Sequence, residues 1–362
     1  RPDQYVGIVT YTGTGSAFDL DYNFSPDFAW VKGYTYNSSN HQLSDTVRNR
    51  AAGGIRRFEL PGTAAQDGGG PGFINSGLNI NTNAAINTDD ESYTAWCWKA
   101  GGDKNTFNVD DVGYATAAAA GLDAGSITPT GASVGTKQGF SIIAYTGTGS
   151  AGTLSHGLSK APDLIIMKGR NFSDDYRVYH SHLDASEPED YYMILQSTNA
   201  KSADQNASFM NDTAPTNTVF SLGTDSAING DTRTMIAYLW HDVPGLQKFG
   251  TYTGNGDNDG PFVELGFRPT LLWIKNVDTS GETWCVHDDQ RDKFNPAKHR
   301  LSIDSSNDQD ASQSARNKDF LSNGFKIRGT SGEQNTDGDQ YIYCAWAAAP
   351  SVDLFGGGAN AR

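Results

Sequence analysis

Three short apolar runs recur along the chain, and each run follows a proline and ends in a lysine. The runs occupy residues 26–32, 162–168 and 269–275. Proline at the first position of a strand removes no hydrogen bond from the sheet, and a dense apolar run is typical of a strand buried on both faces. The pattern therefore predicts one buried strand in each of three repeated units.

A glycine-rich turn precedes each apolar run. The motif Tyr-Thr-Gly-x-Gly occurs at residues 11–15, 145–149 and 252–256. Glycine supplies the positive φ that such turns require, and no helix that could present its N-terminus to a phosphate is expected after any of them. We therefore interpret these motifs as turns and not as nucleotide-binding loops.

An aromatic strand closes each unit, at residues 93–98, 235–240 and 341–346. Its spacing from the lysine of the apolar run is nearly the same in the three copies. Because successive side chains of a strand point to opposite faces, Trp96 and Trp98 should share one face, and Ala95 and Cys97 the other. This separation of large and small side chains indicates the interior of a sandwich or jelly roll.

The chain shows neither a long amphipathic helix nor an alternation of strands and helices, which argues against helical and α/β folds. We predict an all-β fold with three tandem antiparallel β-sandwich, jelly-roll-like units. The units are assigned to residues 1–99, 140–246 and 247–349. Residues 100–139, rich in Gly, Ala and Thr, are interpreted as an extended linker or arm, and residues 350–362 as a tail.

Composition and charge narrow the classes of function. Of the 362 residues only 19% are charged, and the net charge is -15. Such an acidic chain repels phosphate backbones and anionic lipids, so we expect neither nucleic acid as a partner nor insertion into a membrane. The chain opens with Arg1 and not with Met, which indicates a processed or partial product.

Three cysteines, Cys97, Cys285 and Cys344, are too few and too far apart for a disulfide scaffold or a zinc site. Their odd number leaves at least one thiol without a partner in the chain. Cys285 and Cys344 fall in one unit, where a bridge between them is the alternative. We expect buried free thiols.

A charged pattern follows the apolar run in two of the three units. An aspartate lies thirteen residues after the lysine and an arginine three residues further, which gives the sets Lys32, Asp45, Arg48 and Lys275, Asp288, Arg291. The second unit departs from this pattern, with Ser181 at the aspartate position and only Asp184 and Arg177 nearby. The charges either clamp a ligand or form structural ion pairs that fix strand register, and we favour the ion pairs.

Three tryptophans are candidates for binding a sugar ring by stacking, namely Trp30, Trp273 and Trp284. The alternative places them in the core, because Trp30 and Trp273 occupy equivalent positions in the apolar runs. Exposure of these rings at equivalent sites would favour carbohydrate binding, whereas burial would favour a role in packing.

The sequence contains no recognisable catalytic or metal-binding constellation. Acidic runs at residues 174–175, 187–190 and 288–289 lie in expected loops, and a glycosidase needs two carboxylates facing each other across a sugar. His180 and His182 share a strand face, but no third metal ligand is identifiable. Residues 333–338 match the start of a calcium loop, which fails at Cys344, where a glutamate is needed. We therefore predict no enzyme, no cofactor and no metal.

Together these motifs resemble the repeat domains of marine and cyanobacterial bacteriophage virion proteins, often described as tail-fibre-like. The resemblance covers residues 5–348 and rests on the motifs above, on a Gly-Phe strand such as residues 322–325, and on the Trp-Cys-Trp-Lys-Ala-Gly-Gly ending at residues 96–102. It implies a β-rich fold, an extracellular location on the virion surface, and a role in structure or host recognition. It carries over no catalytic residue.

The leading hypothesis is therefore a virion structural protein, such as a tail fibre, an appendage or a head decoration. Its expected partners are other virion subunits, with a homo-oligomer such as a trimer and a host surface glycan as further candidates. An array of carbohydrate-binding modules and a polysaccharide depolymerase are the alternatives. The depolymerase requires two acidic side chains that converge in a groove.

Overall fold

The computed structural model describes residues 1–35, 38–48, 55–204 and 206–347. Apart from strands, the regular structure in these ranges consists of two α-helices of one turn and three 3-10 turns. The helices are α1 (Ala84–Asn87) and α2 (Ser226–Asn229), and the 3-10 turns are Pro2–Gln4, Pro188–Asp190 and Ser314–Arg316. The prediction of an all-β fold is confirmed. The expected tail, residues 350–362, lies outside the described residues.

Residues 1–99, called unit 1 below, form one large and one small sheet. The strands are β1 (Val6–Thr12), β2 (Phe18–Asp21), β3 (Phe28–Gly33), β4 (His41–Asp45), β5 (Arg56–Leu60), β6 (Asp67–Gly68), β7 (Gly72–Ile74), β8 (Gly77–Ile80) and β9 (Ser92–Trp98). The large sheet has the order β1-β9-β3-β4-β5-β6, and the small sheet has the order β2-β8-β7.

Residues 140–246, called unit 2, repeat this plan with the preceding segment added to it. Segment 100–139 contains β10 (Phe107–Val109), β11 (Val112–Tyr114) and β12 (Gly131–Gly135). Unit 2 contains β13 (Phe140–Thr146), β14 (Gly152–Ser155), β15 (Leu164–Gly169), β16 (Arg177–His180), β17 (Tyr191–Ile194), β18 (Ser202–Ala203), β19 (Val219–Leu222) and β20 (Thr234–Trp240). The large sheet runs β11-β10-β12-β13-β20-β15-β16-β17-β18, and β14 pairs with β19.

Residues 247–349, called unit 3, follow the same order. The strands are β21 (Gln247–Thr253), β22 (Phe262–Glu264), β23 (Leu271–Asn276), β24 (Cys285–Asp288), β25 (Leu301–Ser302), β26 (Lys318–Leu321), β27 (Gly324–Ile327) and β28 (Gln340–Trp346). The large sheet has the order β21-β28-β23-β24-β25, and the small sheet has the order β22-β27-β26.

The register of the large sheets is the same in the three units. In each unit the closing strand lies between the first strand and the strand of the apolar run, and all these pairs are antiparallel. The last tryptophan of the closing strand lies opposite the first apolar residue of the run, which gives the pairs Trp98 and Phe28, Trp240 and Leu164, and Trp346 and Leu271. Equivalent residues can therefore be assigned from strand pairing and not only from sequence spacing.

One face of each large sheet packs against its own small sheet. In unit 1 the shared cluster includes Leu20 and Leu78 from the small sheet and Ala95 and Cys97 from β9. Corresponding clusters bury the inner faces of units 2 and 3. Trp96 and Trp98 lie in a different cluster, on the opposite face of β9. The alternation of large and small side chains predicted for the closing strand is present.

The opposite faces of the three large sheets meet in one buried cluster, called the central cluster. It contains the tryptophans of all three units: Trp30, Trp96, Trp98, Trp240, Trp273, Trp284 and Trp346. The rings of Trp98, Trp240 and Trp346 pack edge to face, with centroids 6.1, 5.5 and 6.2 Å apart. Because aromatic pairs favour this geometry and bury large areas, the central cluster holds the three units together.

Segment 100–139 is not an extended arm, as the sequence interpretation had it. β12 pairs with the first strand of unit 2, so the segment enlarges the large sheet of that unit. Leu122, Ile127 and Val134 are buried in the hydrophobic cluster of unit 2. The apolar residues of this segment are few and lie among glycines. They are buried because the hydrophobic core of unit 2 supplies side chains for them to pack against.

The glycine-rich turns are held by an asparagine in every unit. Asn87, Asn229 and Asn335 accept hydrogen bonds of 2.8–2.9 Å from the backbone N–H of Thr14, Thr148 and Asn255, in that order. The second glycine of each motif has a φ of 66–68°, which favours glycine. A Cβ on the first glycine would meet a carbonyl oxygen at 2.0–2.3 Å. The turns are therefore structural, as predicted.

All three cysteines are free and buried. The alternative of a bridge between Cys285 and Cys344 is thereby excluded. Burial raises the pKa of the Cys285 thiol to about 12, and it also raises the pKa of Cys97 and Cys344. Protonated buried thiols are poor nucleophiles, so these residues act as small apolar side chains.

Candidate functional site: the junctions between the units

Each unit places one large polar side chain opposite the lysine of its apolar run. When the register is continued by one residue beyond the last paired positions, His41 lies opposite Lys32, Tyr176 opposite Lys168 and Trp284 opposite Lys275. Histidine, tyrosine and tryptophan are different residue types, but each carries an N–H or O–H donor on an aromatic ring system. The three residues therefore form one equivalent set.

These three side chains donate across the junctions to equivalent carbonyl groups. His41 Nε2 lies 2.9 Å from the carbonyl of Ser302, in unit 3. The Tyr176 hydroxyl lies 3.4 Å from the carbonyl of Glu59 in unit 1, and Trp284 Nε1 lies 3.2 Å from that of Ile194 in unit 2. Unit 1 thus contacts unit 3, unit 3 contacts unit 2, and unit 2 contacts unit 1, which closes a ring.

His41 is fixed in its neutral form by two hydrogen bonds. The indole N–H of Trp30 donates to its Nδ1 over 2.9 Å, so its proton lies on Nε2 and points at the carbonyl of Ser302. Burial, assisted by nearby Lys32, lowers the pKa of His41 to about 3. At neutral pH the imidazole is therefore an uncharged link between unit 1 and unit 3.

The three lysines make a second ring of contacts in the same direction. Lys32 Nζ donates to the carbonyl of Ser306 over 3.1 Å, Lys168 Nζ to that of Thr63 over 2.7 Å, and Lys275 Nζ to that of Thr198 over 3.3 Å. Each ammonium also donates to one or two carbonyl groups of its own unit. These lysines bind main-chain oxygens across the junctions.

Burial is the main influence on the three lysines. It lowers the pKa of Lys32 to about 7 and the pKa values of Lys168 and Lys275 to about 8. A lysine of this kind can act as a base or nucleophile only where a substrate can reach it. The residues Lys32, Lys168 and Lys275 are fully buried, with the amino groups enclosed by carbonyls, so the arrangement favours a structural role.

The aspartate–arginine pairs of units 1 and 3 form as expected. The carboxylate of Asp45 pairs with Arg48, and Asp288 pairs with Arg291 over 2.7 Å, with all four side chains buried. Lys32 and Lys275 take no part in these pairs and bind carbonyl groups instead. The six-residue set predicted from the sequence is therefore two ion pairs and two separate lysines.

The same aspartates receive a third kind of junction contact. Trp96 of unit 1 donates to Asp288 of unit 3 over 3.1 Å, and Tyr238 of unit 2 donates to Asp45 of unit 1 over 2.8 Å. Trp96 and Tyr238 are equivalent, because both lie two residues before the last tryptophan of the closing strand. The predicted ion pairs thus fix the contact between units as well as the strand register.

The second unit places a histidine, and not Ser181, at the position of these aspartates. His180 lies opposite Leu164, as Asp45 lies opposite Phe28. Spacing from the lysine misassigned this residue because His180 lies twelve positions after Lys168, whereas Asp45 lies thirteen after Lys32. His180 Nε2 lies 3.2 Å from the carbonyl of Tyr343 in unit 3, and burial lowers its pKa to about 3. The neutral imidazole completes the third ring of contacts.

The three candidate sugar-binding tryptophans are all in the central cluster. Trp30 is 0% exposed, and Trp273 and Trp284 are each 1% exposed. The ring of Trp30 packs edge to face on Trp273, with centroids 5.1 Å apart across the junction of units 1 and 3. A sugar cannot reach these rings, so the interpretation of Trp30, Trp273 and Trp284 as ligand-binding residues is wrong. Their apolar surface is needed where the sheets meet.

Two of the three acidic runs, residues 174–175 and 288–289, are occupied by structural contacts. Asp174 pairs with Arg233, and Asp175 pairs with Arg177. Asp289 accepts from Thr270 and pairs with Arg268. Within the described ranges no group of three or more His, Cys, Asp or Glu side chains is arranged to hold a metal ion. These side chains stabilise loops and strand ends.

A groove lined by polar and aromatic side chains lies between unit 1 and segment 100–139. A cavity of about 360 Å³ includes Tyr5, Asn75 and Asp111 in its lining, and a neighbouring cavity of about 210 Å³ shares Asn75 and Asp111 with it. Asp111 pairs with Lys99 over 2.7 Å, and its neighbour Asp110 accepts from the backbone N–H of Thr136. Asp110 and Asp111 are therefore held by other groups of the fold.

Sequence reasoning missed most of the junction. The partners of the lysines and of His41, Tyr176 and Trp284 are main-chain carbonyls, which any residue type supplies. One signal was available: the Ala-Ile-Asn motif at residues 85–87 and 227–229 ends in the asparagine that holds the turn. This motif, found in units 1 and 2, could have been added to the glycine-rich turn, the apolar run and the closing strand as a further repeated feature.

The fold and its junctions define an all-β protein in which three repeats share one aromatic core. The chain matches the model of a domain of unknown function, DUF7483, over residues 1–350, and it belongs to that family. No curated protein matches the chain. In the described part of the chain, no helix is long and apolar enough to cross a membrane.

Proposed function

We propose that this chain is a non-enzymatic structural protein on the surface of a bacteriophage virion, as a fibre, an appendage or a head decoration. The observation that supports this proposal best is the threefold set of junction contacts. Lysines, histidines and aspartates, which an enzyme would expose to substrate, are buried here between units. The resemblance of the sequence motifs to phage virion repeats supports the proposed location.

The arrangement favours one chain as the assembly unit. In a trimeric fibre, three chains each contribute an apolar face to a common core. Here the three repeats of a single chain contribute those faces. Among the described residues the exposed large apolar side chains are Val112, Phe262 and Phe294, at 52%, 45% and 76%. A scattered set of this kind supports polar contacts with other virion subunits rather than a large apolar interface between copies.

The alternatives receive less support. A carbohydrate-binding array needs exposed aromatic platforms at equivalent positions, and the repeated tryptophans are buried. A depolymerase needs two free carboxylates across a groove, and Asp111 and Asp110, beside the groove between unit 1 and segment 100–139, are bound to Lys99 and Thr136. Binding of a host glycan by another part of the surface is compatible with the structural role.

Quantitative mass spectrometry of purified phage particles tests the proposal. Peptides of this chain should copurify with the major capsid protein at a constant ratio through successive density gradients, and gold-labelled antibodies should mark one position on intact particles. A chain that stays in the supernatant of the gradient, or that releases sugars from host polysaccharide, would contradict the proposal. A soluble host protein of similar abundance, measured in the same gradient fractions, is the control for contamination of the particles.

A further inference from the structure

A cavity of about 310 Å³ lies at the junction of units 1 and 2, and it is called the junction cavity below. Its lining includes Arg48 from unit 1, Thr106 and Thr130 from segment 100–139, and Ala144 and Arg170 from unit 2. Two arginines in one small cavity are notable in a chain whose net charge is -15. Like charges repel unless an anion lies between them.

Arg48 has an unused donor in this region. Its Nε pairs with Asp45, and its Nη2 donates to the carbonyl of Leu43 over 2.9 Å. Its Nη1 is buried and has no hydrogen-bond partner among the described residues, and the guanidinium lies over the ring of Phe58, 3.9 Å from its centroid. Buried polar groups are almost always paired, so an unpaired guanidinium nitrogen beside a cavity indicates a missing acceptor.

Arg170 lacks a carboxylate partner. Its Nε donates to the side chain of Gln66 over 3.3 Å, and no aspartate or glutamate in the described ranges lies within ion-pair distance. Burial is the main cause that lowers its pKa; the negative charge of Asp45 raises the pKa, and the positive charges of Arg48 and Arg56 lower it further. A half-buried guanidinium in this setting is stabilised by any anion that enters the cavity.

We propose that the junction cavity binds an oxyanion, with the guanidinium groups of Arg48 and Arg170 as donors. The planar fork of arginine matches the geometry of a carboxylate or a phosphate. The exposed hydroxyls of Thr106 and Thr130, which make no side-chain hydrogen bond in the described structure, line the same cavity. The ligand class is a small carboxylate, such as a sugar acid, or free phosphate. This inference does not depend on a virion location.

The junction of units 2 and 3 lacks this pair of arginines. The cavity between units 2 and 3, about 350 Å³, has Leu183 where the first junction has Arg48. The equivalence follows from position, because Leu183 lies three residues after His180, as Arg48 does after Asp45. Lys201 lines the second cavity but donates to the carbonyl of Leu183 over 2.7 Å and lies 4.0 Å from Asp184. Its charge is therefore already matched.

Calorimetric titration of the full chain tests the proposal with three probes: sodium glucuronate, inorganic phosphate and glucose. We expect saturable binding of at least one of the two anions and no binding of glucose. Preference for glucuronate would identify a sugar acid as the source of the oxyanion, and preference for phosphate would identify free phosphate. Absence of binding for both anions at millimolar concentrations would overturn the proposal.

Two variants locate the binding. Arg170→Gln should weaken the anion at least about tenfold, since hydrogen bonds to charged groups contribute strongly. Arg233→Gln is the matched control, because Arg233 belongs to the same unit and pairs with Asp174 away from the cavity. Unchanged affinity in Arg170→Gln would overturn the proposal.

A third variant avoids removing a buried charge. Thr130 is exposed, so Thr130→Glu should fold and place its own carboxylate at the cavity. We expect it to abolish anion binding, whereas Thr130→Gln, of the same size, should retain it. Equal binding by these two variants would contradict an oxyanion site at the junction cavity even if Arg170→Gln does not fold.

Discussion

The indole nitrogen of Trp96 donates a hydrogen bond of 3.1 Å to the carboxylate of Asp288, although 192 residues separate them in the sequence. Asp288 also holds Arg291 over 2.7 Å, so one buried carboxylate joins a strand of unit 1 to a strand and a loop of unit 3. Tyr238 and Asp45 repeat this contact between units 2 and 1. The repeats are therefore linked by specific polar contacts as well as by packing.

Removal of the Asp288 charge should destabilise the chain strongly. Asp288→Asn leaves the buried guanidinium of Arg291 without its counter-charge, so we expect the free energy of unfolding to fall by about 3–5 kcal/mol. Urea denaturation followed by tryptophan fluorescence measures the change. Asp111→Asn, which breaks the exposed pair with Lys99, is the control and should cost less than about 1 kcal/mol. Similar losses for the two variants would refute the assignment.

The first glycine of each turn motif should not tolerate a side chain. A Cβ on Gly147 would lie 2.3 Å from the carbonyl oxygen of Gly230, which is backbone and cannot move aside easily. We expect Gly147→Ala to lower the midpoint of thermal unfolding clearly. In Gly62→Ala the nearest atom is 3.5 Å away, so this control should leave the midpoint almost unchanged. A Gly147→Ala chain as stable as the control would show that the turn is not tightly packed.

Burial of Lys32 should make stability depend on pH. Its pKa falls from the usual 10.5 to about 7 in the folded chain, so the unfolded chain binds more protons between these values. The free energy of unfolding therefore rises with pH through this window, and the contribution is lost as pH falls through 7. Denaturation at pH 7 and pH 9 should show that the parent chain gains stability relative to Lys32→Met.

Exposed Lys137 provides the control for this experiment, because Lys137→Met changes the same charge without burial. Its stability difference from the parent chain should be the same at both pH values. A parallel response of Lys32→Met would mean that the carbonyl groups around Lys32 keep its pKa at the ordinary value.

Truncation of one central tryptophan should weaken all three units. Trp346 lies 5.5 Å from Trp98 and 4.9 Å from Trp273, measured between ring centroids, so Trp346→Ala leaves a void where the sheets meet. We expect a loss of about 3–5 kcal/mol in the free energy of unfolding. Hydrogen exchange should show faster exchange in the strands of units 1 and 2 as well as in unit 3. An effect confined to unit 3 would mean that the units are energetically independent.

The sequence predicted the elements that depend on side-chain pattern. The apolar runs, the closing strands and the Tyr-Thr-Gly-x-Gly turns were placed correctly, because burial and alternation leave a direct trace in residue type. Segment 100–139 was misread as an arm, since its strands β10, β11 and β12 are short and rich in small residues. β12 pairs with β13, β10 with β12 and β11 with β10, so all three depend on the sheet of unit 2, which local sequence does not reveal.

The junctions were harder to predict than the strands. His41, Tyr176 and Trp284 occupy equivalent positions and make equivalent hydrogen bonds. Their residue types differ, however, and have in common only an aromatic ring and a polar hydrogen. Their acceptors are carbonyl groups, which leave no trace in the sequence. The same limit explains why Trp284 was considered a sugar platform and why Lys32 was grouped with Asp45.

The proposed structural function rests on the three units acting as one body around Trp98, Trp240 and Trp346. Differential scanning calorimetry of the full chain tests this claim most directly. A shared core predicts a single transition in which the calorimetric and van't Hoff enthalpies agree. Two or three separate transitions, or a van't Hoff enthalpy near one third of the calorimetric value, would show independent domains and contradict the claim.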